Sequence, residues 1–164
     1  MKIGLWGVGF LAVVVSAVFS APAQAAEASF GGQVSYGFGL GDEDGDAQLG
    51  IGGRVVLDLS DQKAGVEAIG SFDYFFPEEV LGVDLSYWEI NANLVYNLSP
   101  MGSLRPYVGA GLNLAHASAE GFDGETDAGL NVLGGLKLSR HVFVEARVEL
   151  GGGEQAVLSA GYRF

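Results

Sequence analysis

Cysteine is absent from the 164 residues, which excludes disulfides, thiol nucleophiles and thiolate metal sites. Proline is scarce, at 4 residues, and the 27 glycines follow no collagen period, so neither a proline-rich linker nor a triple helix fits. Positive charge is scarce too: 8 Lys+Arg stand against 20 Asp+Glu, a formal net charge of -12. Such a chain repels phosphate backbones, so nucleic acid is not expected as a partner, and a divalent cation or a basic surface suits it better. Beyond Ala25 sustained helical periodicity is missing as well.

What remains is an unusual pairing of acidity with grease, at 49% hydrophobic residues and a mean hydropathy of +0.30. Part of the grease is N-terminal. Lys2 supplies a positive start, Ile3 to Phe19 is uncharged and mostly apolar, and Ala23-Gln24-Ala25 is a small-x-small cleavage pattern. Residues 1–25 therefore read as a secretory signal cut after Ala25, and 26–164 as one exported domain. A retained anchor fits less well, because the stretch is short for a spanning helix and interrupted by glycine.

In the mature chain, apolar residues alternate with polar or tiny ones in eight successive segments. "QVSYGFGL" sets Val34, Tyr36, Phe38 and Leu40 against Gln33, Ser35, Gly37 and Gly39, and "VFVEARVEL" sets Val142, Val144, Ala146, Val148 and Leu150 against Glu145, Arg147 and Glu149. The last segment, "AVLSAGYRF", alternates to its final residue, with Ala160, Tyr162 and Phe164 in one phase. Short connections ("SDQK", "SPMGS", "SRH") alternate with mostly longer ones ("GDEDGDA", "FPEEVLGVD", "AHASAEGFDGETDA", "GGGEQ"). The longer set holds Asp42, Glu43, Asp44, Asp46, Glu78, Glu79, Asp84, Glu120, Asp123, Glu125, Asp127 and Glu154 and no Lys or Arg, whereas Lys63, Arg140 and His141 fall in or beside the short set. The expected fold is all-β: an eight-stranded antiparallel up-and-down barrel with short turns at one end and longer acidic loops at the other.

Alternation alone does not say which phase faces inward, but the contents of the two phases do. Arg54, Asp58, Glu67, Asp73, Glu89, Arg105, Lys137, Glu145, Arg147, Glu149 and Arg163 all occupy the phase opposite the large aliphatics. The aliphatic phase is nearly pure, as a lipid-facing wall requires, since Lys or Arg at mid-bilayer costs ~2–4 kcal/mol there. Aromatics fall in two sets, Phe38, Tyr74, Phe76 and Trp88 near the longer loops and Phe30, Tyr96, Tyr162 and Phe164 near the short turns. Two such girdles are what a pair of membrane interfaces predicts, and a soluble exported barrel has no need of them.

The strand "RPYVGAGLNL" and the closing run "GLNVLGGLKLSRHVFVEARVEL", leading to the terminal Phe164, are similar to the central and closing strands of the small outer-membrane barrels of Gram-negative bacteria. The mature chain resembles the OmpA transmembrane domain, the OmpX/Ail proteins and the opacity-type barrels. That resemblance implies a cell outer-membrane location and contact with membrane lipid and lipopolysaccharide; a monomer is expected because a closed barrel has no strand edge demanding a partner. It also implies that Tyr162 and Phe164 act as an assembly signal for the outer-membrane barrel assembly machinery.

Chemistry is thinly signalled. Asp42, Asp44 and Asp46 alternate as in the start of a calcium loop, but glycine stands at the fourth place and Gly53 at the twelfth, where a Glu is needed. A solvated acidic loop fits this stretch better than a dedicated metal site, with weak bridging of divalent cations to lipopolysaccharide phosphates as a further role. His116 and Ser118 share a face, as in the His-x-Ser motif of lipid A deacylases, but Ala119 stands where those have Asn and Glu120 is too close to be the later acidic partner. No enzyme, catalytic residue, metal or cofactor is expected. The confined charges read as a salt-bridge network filling the lumen. The expected function is a structural or surface-interaction role, with a narrow porin-like channel or a conduit for ions or small hydrophobic molecules as the alternative and a deacylase-like enzyme behind it.

Overall fold

The computed structural model describes residues 27–39, 47–59, 63–77, 85–119, 124–151 and 154–164. The expected signal segment, the aspartates at 42, 44 and 46, and Glu43, Glu78, Glu79, Asp84, Glu120 and Asp123 lie outside the described residues.

Eight strands follow one another: β1 (Ala28–Gly39), β2 (Gln48–Asp58), β3 (Val66–Phe76), β4 (Leu85–Asn97), β5 (Arg105–Ala119), β6 (Glu125–Lys137), β7 (Val142–Leu150) and β8 (Gln155–Arg163). Each pairs antiparallel with its neighbours, and β1 pairs with β8 to close the barrel. The two-residue period of each strand then sends alternate side chains inside and out. The connections β2–β3, β4–β5 and β6–β7 meet at one end, together with the start of β1 and the end of β8. There Gly65 and Gly102 adopt φ of 79° and 65°, a region that side chains with a Cβ rarely enter. In the β6–β7 turn, Ser139 Oγ accepts the backbone N–H groups of His141 and Val142 at 3.1 and 3.0 Å.

The distribution of exposure is inverted relative to a water-soluble protein. Leu94 and Leu130 are each 59% exposed, whereas Asp73, Glu89 and Glu149 are 0% exposed and Arg147 1%. Both phases therefore lie as the alternation predicts. Rings band the outer wall near both ends: Tyr74 against Phe76 with centroids 5.3 Å apart at the loop end, and Tyr162 against Phe164 at 5.7 Å at the turn end. Phe30 and Tyr96 are exposed at the turn end, while Phe38 and Trp88 at the loop end are partly covered.

Inside, bulky rings are seated over glycine. Phe75 lies 2.8 Å from the point where a Cβ on Gly50 would stand, and the Tyr107 and Phe143 rings occupy the corresponding spaces over Gly135 and Gly161. Large and small residues thus interleave across the lumen, and a hydrophobic cluster of Val56, Ile69, Val95, Tyr107 and Leu133 packs between the polar groups.

The structure corrects strand boundaries at the loop end. The segment from Ala115 to Ala128, expected as loop, is mostly strand: β5 runs on to Ala119 and β6 begins at Glu125. Glu125 and Asp127 are therefore strand residues paired with Ala117 and Ala115. Fifteen residues exceed the roughly 9–11 that a tilted strand needs to cross hydrocarbon, so β5 continues past the apolar band, where outward residues no longer have to be greasy. Gln155, expected in a loop, opens β8.

Candidate functional site

Most of the chemistry-bearing side chains project into the lumen, at three levels. Nearest the short turns, Lys137 on β6 donates from Nζ to Glu67 Oε1 and Oε2 on β3 at 2.6 and 2.7 Å and to Asn97 Oδ1 at 2.7 Å. Arg163 Nη1 stands 4.0 Å from Glu67 Oε1. A cavity of about 20 Å³, room for about one water, opens at this mouth beside Lys137, Arg140 and Arg163.

One level deeper, Arg54 on β2 reaches Glu145 on β7, Nη2 to Oε1 at 3.0 Å, and donates from Nε to Gln33 Oε1 at 2.6 Å. Its guanidinium carbon lies 3.8 Å from the centroid of the Phe143 ring, a cation–π contact that covers the charge. Tyr107 donates its hydroxyl to Glu145 Oε2 at 2.8 Å.

At the centre stands Arg147 on β7. Its Nε donates to Glu149 Oε1 at 2.7 Å, its Nη2 to Glu89 Oε1 on β4, and Asp73 Oδ2 on β3 lies 3.7 Å from Nη2. Uncharged groups complete the arrangement. Gln33 Nε2 donates to both oxygens of Asp73 at 2.7 and 2.9 Å, Ser35 Oγ to Asp73 Oδ1 at 2.8 Å, and Gln155 Nε2 to Glu89 Oε2 and Glu149 Oε2 at 2.9 and 3.1 Å. Apart from Arg147–Glu149 within β7 and Gln155–Glu149 between the paired β7 and β8, these contacts join strands that share no backbone hydrogen bonds. Full burial makes each such partner necessary, since an isolated charge in this environment costs several kcal/mol.

Of the charged residues expected in the lumen, the structure brings Arg54, Glu67, Asp73, Glu89, Lys137, Glu145, Arg147, Glu149 and Arg163 together in ion pairs. Asp58 is half-buried at the end of β2, opposite Glu67 in register. Arg105 is exposed at the turn-end rim, as the first residue of β5, and makes no ion pair among the described residues. Sequence reasoning did not single out Gln33, Ser35, Asn91, Tyr107 and Gln155 as partners in the charge network. The inward parity of Gln33, Ser35, Asn91 and Tyr107 was legible, but not their partners, and Gln155 was expected in a loop.

His116 and Ser118 lie near the loop end of β5. The His116 ring stacks on Trp88 at 5.0 Å, and its Nδ1 is 2.7 Å from Thr126 Oγ1. A hydroxyl therefore occupies the position where a hydrolase would hold an orienting carboxylate. Among the described residues, no three His, Cys, Asp or Glu side chains come together in a metal-holding group. The calcium-like stretch lies outside them.

A closed antiparallel barrel with a packed polar interior, an aliphatic outer wall and aromatic bands is the architecture of a transmembrane β-barrel. The sequence profile of the outer membrane protein beta-barrel domain matches residues 11–127, and the chain belongs to that family, whose members lie in the Gram-negative outer membrane. Among solved structures, the fold is similar to the Neisserial surface protein A (NspA), at 18% identity over 83% of this chain and 94% of that one, with a TM-score of 0.61. It is also similar to the N-terminal β-barrel domain of Pseudomonas aeruginosa OprF, at 20% identity over 83% and 97%, with a TM-score of 0.54. No curated protein sequence matches.

Proposed function

We propose that this outer-membrane barrel is a closed structural and surface-interaction protein rather than a channel. The observation that carries this reading is the filling of the mid-lumen: Arg147, Asp73, Glu89 and Glu149 are each at most 1% exposed and are tied to one another across the barrel. A permeating ion would have to break several of these contacts at once, each inside a low-dielectric enclosure. The polarity of the two ends supports the surface role. Glu125, Asp127 and Glu154 stand at the loop end, and Lys63, Arg140 and His141 at the turn end. With the loop end outward, the acidic segments meet lipopolysaccharide phosphates through divalent cations, and the basic rim meets the inner leaflet. Export by a signal cleaved after Ala25, insertion by the barrel assembly machinery and a monomeric state complete the reading.

Planar-bilayer conductance of the refolded barrel tests it, with Arg147→Ala and Glu145→Ala beside the wild type. A silent wild type is expected, with leak appearing in the variants. Steady wild-type conductance overturns the closed-barrel reading in favour of an ion conduit.

A further inference from the structure

The buried charges do not balance. At the middle and central levels Asp73, Glu89, Glu145 and Glu149 supply four carboxylates, and Arg54 and Arg147 only two cations, for a formal charge of -2 among groups at most 6% exposed. A second observation lies on the adjoining wall. Asn93 and Asn131, 4% and 1% exposed, each bury a side-chain carbonyl oxygen with no hydrogen-bond donor among the described residues, and Ser71 buries a hydroxyl in the same condition. Asn93 Oδ1 sits in the space that a Cβ on Gly111 would fill, and Gly111 faces Asn131 in the β5–β6 register. Gly111 thus stands between two residues that each carry an unpartnered carbonyl oxygen. Asn131 is also tied to the carboxylates: its Nδ2 donates to Asn91 Oδ1 at 2.8 Å, Asn91 Nδ2 donates to Glu89 Oε1 at 3.1 Å, and Asn131 stands opposite Glu149 in the β6–β7 register.

We propose that the lumen holds a monovalent hard cation, sodium, between Asn93 and Asn131, with Asn93 Oδ1 and Asn131 Oδ1 as neutral oxygen ligands and the Glu89–Glu149 carboxylates as its counter-charge. Neutral carbonyl oxygens replace the hydration shell of an alkali cation at close quarters. A divalent ion would call for several carboxylates as direct ligands, and no such group of three exists among the described residues. The bound cation offsets part of the negative excess and gives the orphan oxygens a positive partner.

The test is unfolding of the refolded full barrel in detergent at constant ionic strength, with sodium chloride replaced stepwise by tetramethylammonium chloride, whose cation is too large to enter. The unfolding constant is expected to fall as sodium rises, approaching tenfold for each tenfold increase once the site is near saturation. Asn93→Leu and Asn131→Leu, which keep shape but remove the oxygen, are expected to abolish that dependence, and exposed Glu125→Gln to retain it. Equal stability in the two salts overturns the proposal, as does a full sodium effect in both leucine variants. Should the variants fail to refold, sodium-23 line broadening by the wild type decides: saturable broadening supports the site, and none overturns it.

Discussion

Arg147 on β7 and Glu89 on β4 form an ion pair across the barrel between strands that share no backbone hydrogen bond. The pair is a transverse strut, and Lys137 with Glu67 repeats the device between β6 and β3 nearer the turn end. A ring of strands held only by neighbour pairing can flatten. Struts of this kind fix its cross-section.

Breaking the central strut leaves carboxylates without their partner. Arg147→Met is therefore expected to destabilise the refolded barrel by about 3–5 kcal/mol, the cost of uncompensated buried charge. Urea unfolding followed by the heat-modifiable gel shift measures it. Lys137→Met, nearer the mouth and partly solvated, is expected to cost ~1 kcal/mol; equal losses in the two variants would contradict this account.

Val132 is half exposed on the outer wall, next in sequence to fully buried Asn131. Val132→Arg is expected to cost about 2–4 kcal/mol when the barrel is refolded into bilayers, because the charge enters hydrocarbon. Its effect on a barrel held in short-chain detergent is expected to be smaller. A neutral substitution in both settings would mean that this wall does not face lipid.

Gly135 lies beneath the Tyr107 ring. Gly135→Ala is expected to lower stability by about 1–3 kcal/mol through overpacking. Adding Tyr107→Leu should recover part of that loss, and a double-mutant cycle reads the coupling.

The Phe164 backbone N–H donates to Phe30 O at 2.8 Å, and the ring meets Tyr162 edge-on. Deleting Phe164 removes that hydrogen bond, worth about 1 kcal/mol net. The expected outcome is a sharp drop in membrane levels of the deletion variant in cells, with the unfolding midpoint of the refolded barrel nearly unchanged. Normal cellular levels would remove Phe164 from any assembly role.

Parity made most of this fold legible in the sequence. Residues such as Glu145, Arg147 and Glu149 alternate with Val144, Ala146 and Val148, and a two-residue period has only two solutions, one of which would put charge in lipid. The loop-end boundaries were less legible, because "AHASA" continues β5 beyond the apolar band, where the hydrophobic phase no longer marks a strand. The partners were not legible at all. That Gln155 bridges Glu89 and Glu149 follows from the stagger of eight strands around a ring, and no local stretch of sequence records that stagger.

Closure has a kinetic side. Ser35 and Ser159 are 124 residues apart in the chain and 3.0 Å apart in the lumen. Seven of the eight seams join consecutive strands and form from local hairpins, but the β1–β8 seam needs nearly the whole domain to be present. Until β8 arrives, two unpaired edges stay open, each able to capture a strand from another chain. The slowest and most hazardous moment in the life of this molecule is therefore its last pairing, and protection is needed until that pairing is complete.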